Sequence, residues 1–283
     1  MVGTSTRFQR LLVDGADLEY EVVGSGEPFL FIHGAIVGDA FAPLLTQPAL
    51  SERYQLINYH RRGYVGSSRP AGNVSIERQA LDALALLDTL GIRRAHVAGH
   101  SIGGAMALAL VDAAPHRVHS LALLEPGPLS STGFAEEMAA FQPVVDMYNA
   151  GDRNGAVDAF CQAVAGPDIR RSVDAIMPAG WFEQAVDDAD TVFRVELPAA
   201  LEWDFTPDMA RRIAQPVLSV VGADSAAIDP TIAAVHEQLL AWLPQTETWV
   251  VPNTTHALQL MNPAGVAEGL AAFLTRHPIP HRV

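Results

Sequence analysis

Apolar and polar positions in the first third of the chain fall into short blocks that read as strands separated by turns. Phe8–Val13 and Leu18–Val23 predict a strand pair joined through Asp14-Gly15, a dipeptide suited to a tight hairpin. Pro28–Ile32 is continuously apolar, as in a strand covered on both faces of a parallel sheet, and runs into His33-Gly34-Ala35. Tyr54–Tyr59 predicts the next strand, followed by a glycine-punctuated turn from His60 to Ser68. A helix is predicted from Ser75 to Leu90: Ser75 can cap it, Ile76, Ala80, Ala83, Leu84 and Leu87 share one face, and Gly91 stops it. Ala95–Ala98 and Val118–Leu124 read as strands on either side of a small-residue helix, Ala105–Ala114.

The rhythm changes after Pro126. Up to about Met209 only helical patterns broken by glycine and proline are visible, at Glu136–Asn149, Ala156–Val164 and Asp168–Met177, followed by the aromatic clusters Trp181-Phe182 and Trp203-Asp204-Phe205. Strand and helix then alternate again: Pro216–Val221, Thr231–Leu243, Thr246–Val251 and Pro263–Arg276. The expectation is an α/β domain built from residues 1–127 and 210–283, with a helical insertion at 128–209.

Composition narrows the chemistry. The chain has 283 residues, 49% of them hydrophobic and 18% charged, which suits a globular protein. A net charge of −14 would repel phosphate backbones and anionic lipid, which argues against nucleic-acid and membrane-surface roles. No run reaches the roughly 18 apolar residues of a membrane helix. The segment Met1–Arg7 lacks the apolar core of a secretory signal. The single cysteine, Cys161, fits a reducing compartment such as the cytoplasm and reads as a small half-buried helix residue. No His/Cys cluster has metal-ligand spacing and no phosphate-binding glycine motif is present, so neither metal nor cofactor is expected.

Candidate chemistry concentrates at Gly99-His100-Ser101-Ile102-Gly103-Gly104. Placed between a strand and a helix, G-x-S-x-G forms a sharp turn that lifts the serine out of the sheet. There a histidine can reach its hydroxyl, which by itself is a poor nucleophile. The flanking glycines fit a place where strand and helix leave no room for a Cβ. His256 follows the Thr246–Val251 strand in a loop, where site residues of α/β folds collect. His33 and His60 read as loop-positioning residues and His100 as part of the turn.

These motifs, together with Arg62-Gly63-Tyr64-Val65-Gly66-Ser67-Ser68 and His33-Gly34-Ala35, resemble the α/β-hydrolase superfamily over nearly the whole chain. The resemblance implies a mostly parallel eight-stranded sheet with flanking helices and a helical cap inserted after the sixth strand. It also implies a nucleophile, an acid and a histidine in that chain order. Ser101 and His256 take the first and last places, and the backbone N–H groups of Ala35 and Ile102 would hold the oxyanion. Most of the superfamily carries the acid as the fourth residue of a Gly-x-x-Asp turn after the seventh strand. Here that turn reads Gly222-Ala223-Asp224-Ser225, so Asp224 falls one residue short. A second position, at the end of the sixth strand, is used by proteins resembling haloalkane dehalogenases and zearalenone-type lactone hydrolases; here it is Glu125. Glu125 stands ahead of Asp224, and both remain candidates. Serine at the elbow argues against dehalogenase and epoxide-hydrolase chemistry, which use aspartate there.

The insertion is rich in apolar and aromatic residues. Met138, Phe141, Val145, Met147, Trp181, Phe182, Phe193 and Trp203 are candidates for a substrate roof, of which about a third are expected to touch substrate and the rest to form the insertion's own core. The expectation is a serine hydrolase for a small hydrophobic ester or lactone. Alternatives are a C–C bond hydrolase of the ring-fission-product type, an aminopeptidase, or a ligand-binding protein that uses the cap as a clamp. Oligomeric state is not readable.

Overall fold

Side chains of a strand alternate between faces, and β3 (Glu27–Ile32) uses both for burial. Phe29 and Phe31 pack into one layer and Leu30 and Ile32 into the other, all fully buried. The computed structural model describes residues 8–127 and 129–280; the expectations placed on Met1–Arg7 and the first residue of the insertion, Pro128, lie outside them. Eight strands form one sheet. The others are β1 (Gln9–Val13), β2 (Ala16–Val23), β4 (Tyr54–Tyr59), β5 (Ala95–His100), β6 (Val118–Leu124), β7 (Val217–Gly222) and β8 (Thr246–Val251). Their order is β1-β2-β4-β3-β5-β6-β7-β8; the β1–β2 and β2–β4 pairs are antiparallel and the remaining five are parallel. One apolar layer holds the helices Ile76–Thr89 and Ile102–Ala113, and the other holds Pro263–Arg276. In Ile76–Thr89 the covered face includes Leu86 rather than Leu84, which is half-buried.

β5 is followed so closely by the helix Ile102–Ala113 that glycine is required at the crossing. A Cβ on Gly99 would strike the Gly103 carbonyl oxygen, and one on Gly103 would strike the Ile32 and His33 carbonyl oxygens. Those are backbone atoms, so no side-chain rotation relieves the clash.

Between β6 and β7 the described residues are helical and contain no strand. The longest helix, Ser131–Asn149, starts five residues before the sequence pattern does, because Ser130 caps it by accepting a hydrogen bond from the Gly133 N–H (3.1 Å). Arg153–Ala165, Ile169–Asp174 and Trp181–Asp187 follow and build a separate apolar core around Tyr148, Val157, Val173 and Val192.

A buried polar network fastens this insertion to the sheet. Residues Val192–Glu196 form a π-helical turn, a form that concentrates at functional sites, and it ends on the fully buried Glu196. Glu196 pairs with the guanidinium of Arg61, itself fully buried, and accepts a hydrogen bond from the Tyr64 hydroxyl (2.6 Å). Arg61 also donates to the carbonyls of His33 (2.9 Å) and Gly34 (2.8 Å) and to Gln79 (2.7 Å). Burial opposes the Arg61 charge, but the Glu196 carboxylate more than offsets this and holds its pKa above the ordinary value. Burial and then the same carboxylate push the Tyr64 phenol well up, so it stays a donor.

Removing one partner of a buried ion pair leaves the other charge without compensation, at a cost of about 3–5 kcal/mol. Glu196→Ala should lose about that much in urea unfolding, and Glu196→Gln, which keeps an acceptor for Arg61, clearly less; equal losses would show that the charge, which both variants remove, matters and the retained acceptor does not. Gly103→Ala should cost about 2 kcal/mol or more from overpacking. Gly72→Ala, in open space, should stay within roughly 0.5 kcal/mol of wild type. A Gly103→Ala protein as stable as wild type would refute the close crossing.

Candidate active site

Ser101 follows the last residue of β5 with φ 54° and ψ −128°, backbone angles that cost about 1–3 kcal/mol for a residue with a side chain. Its N–H donates to the Leu124 carbonyl (3.1 Å), which fixes the turn against β6. Ile36 (φ 68°) and Glu125 (φ 41°) carry the same kind of strain in the turns after β3 and β6. Backbone strain thus collects on one rim of the sheet.

Glu125 is 1% exposed, so it is not a solvated strand-end carboxylate. One oxygen accepts from the Gly222 N–H (2.6 Å) and the Ser225 hydroxyl (2.5 Å). The other lies 3.0 Å from His256 Nδ1. Asp224 is exposed and is engaged through its backbone alone: its N–H donates to the Thr254 carbonyl (3.0 Å) and its carbonyl accepts from the Ala227 N–H (3.2 Å). Of the two candidate acids, then, the structure brings Glu125 to His256. Ser225, which fills the position of the superfamily's usual acid, serves as a donor to it.

His256 and Ser101 line the same two cavities. Among the described residues the Ser101 hydroxyl makes no hydrogen bond to a side chain; such contacts commonly tighten only with substrate in place. The His256 carbonyl accepts from His100 Nε2–H (2.8 Å). Burial, with a smaller contribution from His256, lowers the His100 pKa to about 3, so its ring is neutral and Nε2 carries the proton.

The N–H groups of Ala35 and Ile102 take no part in the turn and cap hydrogen bonds of the described residues, and both residues line the larger cavity. Ile102 is the first residue of its helix, where the dipole favours negative charge. The peptide before Ala35 is held at its carbonyl. His33 Nδ1–H donates to Gly34 O (2.8 Å), and His33 Nε2 accepts the Arg61 N–H (3.1 Å). Burial, then the Arg61 charge, lowers the His33 pKa well below the usual range, which keeps this tautomer neutral. His60 is clamped between Glu19 (3.2 Å) and Asp39 (3.0 Å).

The larger cavity comprises about 840 Å³ of space unfilled by atoms and the smaller about 550 Å³, in both cases including the part open to solvent. Of the expected roof residues, Met138, Phe141 and Trp203 line the larger and Trp181 the smaller. Phe182 departs from the expectation. It lines neither, because its ring is covered by the Arg170 guanidinium 3.5 Å away and meets Trp181 edge-on. Sequence reasoning missed Phe160 and Val164, which line both cavities. Their i, i+4 spacing on one helix was a usable signal. It also missed Glu196, at the wall of the larger cavity, for which no sequence signal existed. Cys161 is half-buried on a helix as expected, and burial pushes its thiol up to about 12. Among the described residues no group of three or more His, Cys, Asp or Glu is placed to hold a metal ion, and no helix is long and apolar enough to cross a membrane.

Comparison with known proteins follows the same lines. A protein named for carbamate hydrolysis, RutD of Azorhizobium caulinodans, is 43% identical over 110 residues, 38% of this chain and 41% of that protein. The chain therefore spans about two fifths of that relative's length. 2-Hydroxymuconate semialdehyde hydrolase of Pseudomonas putida is 28% identical over 275 residues, 91% of this chain and 90% of the other. The solved structure of Est816, described as an N-acyl homoserine lactone degrading enzyme, superimposes with a TM-score of 0.73 at 25% identity, covering 94% of this chain and all of that one. The family model for the alpha/beta hydrolase fold matches residues 27–176, more than half of the sequence, and with the sheet order and the elbow at Ser101 this makes the chain a member of the α/β-hydrolase family.

Proposed function

We propose that the chain is a serine hydrolase that cleaves a carboxylic ester or lactone of a small hydrophobic substrate through an acyl-enzyme on Ser101. The observation that carries this reading is the 3.0 Å contact between His256 Nδ1 and a fully buried Glu125, beside a cavity shared by His256 and Ser101. Glu125 holds the imidazole in the tautomer whose Nε2 is free to accept a proton, and stabilises the imidazolium when it forms. His256 takes the hydroxyl proton as Ser101 Oγ bonds to the carbonyl carbon. The Ala35 and Ile102 amides carry the resulting oxyanion. Collapse breaks the bond to the leaving oxygen, which receives the proton from His256. Water attacks the acyl-enzyme in a second round, with His256 again taking and returning the proton.

The cavity walls support a neutral, apolar substrate. Phe134, Met138, Phe141, Phe160, Val164 and Ile232 dominate the larger one; Glu196 there is neutralised by Arg61, and the other carboxylate, Asp229, accepts from the Thr231 N–H and hydroxyl. The segment 128–209 serves as its lid. The lactone-degrading activity named for Est816 agrees with this choice. A second reading, cleavage of a C–C bond beside a carbonyl, draws on the match to the semialdehyde hydrolase over nine tenths of both chains. Comparing p-nitrophenyl butyrate with a vinylogous diketone separates the two.

Ser101→Ala should lower turnover of p-nitrophenyl butyrate by about a thousandfold or more and abolish labelling by a fluorophosphonate. Glu125→Gln should lower kcat by roughly a hundred- to ten-thousandfold, while Asp224→Asn stays within about threefold. The reverse ranking transfers the acid role to Asp224, and an unlabelled wild type with no turnover sinks the enzyme reading.

A further inference from the structure

The smaller cavity contains a polar group that the proposed chemistry does not use. Gln259 is fully buried, yet neither its amide nitrogen nor its amide oxygen has a hydrogen-bond partner. It sits in the short helix Leu258–Met261, three residues beyond His256, and lines the cavity with both Ser101 and His256. Leaving a buried carboxamide without partners is costly, and Leu or Met would fill the same space without that cost. Packing therefore gives no reason for glutamine here; a ligand would.

The surrounding walls restrict what the ligand can be. Trp181, Ile169, Val173 and Leu260 supply apolar surface. The Cys161 thiol stays protonated, as its burial pushes it up to about 12. His100 is neutral and its Nε2–H is already committed to the His256 carbonyl. His100 Nδ1 is left as a lone acceptor, so apart from the reacting Ser101 hydroxyl Gln259 is the uncommitted side chain in this wall offering both a strong donor and a strong acceptor. Its complement is a group with the same pair reversed, a secondary carboxamide, which would accept from Nε2–H and donate to Oε1.

The two cavities also differ in which part of the chemistry they adjoin. The larger is walled by Ile102 and Ala105 of the elbow helix and by Pro126 and Gly127 after Glu125. His256 borders both, but only the smaller is also walled by the residues that follow it, Ala257, Gln259 and Leu260. The leaving oxygen must lie toward the histidine that protonates it. We infer that the smaller cavity is the leaving-group subsite and that Gln259 selects an ester whose alcohol half carries a neutral carboxamide, while the larger cavity takes an apolar acyl chain. This rests on the serine-hydrolase reading. A substrate amide gives the buried Gln259 amide the two partners it lacks, whereas an alkyl group of the same shape leaves it unpaired.

The test uses two butyrate esters of equal shape, 2-acetamidoethyl and 4-methylpentyl, with hydrolysis followed by proton release. Wild type should prefer the amide ester by about tenfold or more in kcat/KM, as expected for a site that hydrogen-bonds its substrate. In Gln259→Leu the ratio should fall close to one, with a thermal midpoint no lower than wild type; a merely structural glutamine would lower the midpoint and leave the ratio alone. Equal rates for the two esters in wild type, or a preference that persists in Gln259→Leu, overturns the inference. Moving the amide into the acyl half, in a pentyl ester of N-acetylglycine, should give no comparable gain, and a gain there overturns the placement. Calorimetric binding of the ester pair to Ser101→Ala separates the two layers. A tenfold binding preference with no turnover by wild type keeps the subsite and sinks the hydrolase reading, while equal binding sinks the subsite whatever the turnover.

Discussion

A carboxylate sealed from water has to be surrounded by donors, and the rim of this sheet is arranged to provide them for Glu125. Gly222 at the end of β7, Ser225 just beyond it and His256 in the loop after β8 all converge on its two oxygens. Charge-assisted hydrogen bonds of this kind are about twice as strong as neutral ones. They join three successive strand ends, those of β6, β7 and β8. The cost is visible in the backbone, where Glu125 adopts a positive φ that a side chain disfavours. Ser101 and Ile36 show the same strain within the same rim. The strain persists because the surrounding bonds over-determine the geometry: glycine backbones pressed against the elbow, a neutral His33 bonded on both sides, and Arg61 holding two adjacent carbonyls.

Most of this was legible in the sequence, for identifiable reasons. Tyr54–Tyr59 and Val118–Leu124 coincide with β4 and β6, largely buried strands whose mainly apolar runs have sharp ends, and Thr246–Val251 coincides with the half-exposed edge strand β8, which proline residues bound on either side. Ser101 and His256 were visible because their neighbours are constrained: glycines around the one, a strand end before the other. Glu125 emerged from a departure, the serine at position 225 where an aspartate was expected, and the structure places that serine's hydroxyl on Glu125.

What was not legible depends on contacts between distant segments. Phe182 and Trp181 are adjacent aromatics at a helix start, and nothing local says that one faces a cavity while the other lies under Arg170. Glu196 reads as an ordinary charge in an apolar stretch; its partner, Arg61, is 135 residues away and sits in a glycine-rich turn. Gln259 shows only as a polar residue on an apolar helix. That its amide is unpaired is a property of the packed structure, not of the chain.

The ion pair between Glu196 and Arg61 also limits how freely the two parts of this molecule can be recombined. A helical insertion between two strands invites the view of an exchangeable part, one that recombination or design could replace to reach new substrates. Here the replaceable part carries half of a buried charge pair whose other half supports the loop leading to Ala35. A foreign insertion lacking a carboxylate at that point would leave a cation stranded beneath that loop. Modularity in this chain is therefore conditional: the insertion can be exchanged only for one that keeps a carboxylate in the place of Glu196, or together with Arg61.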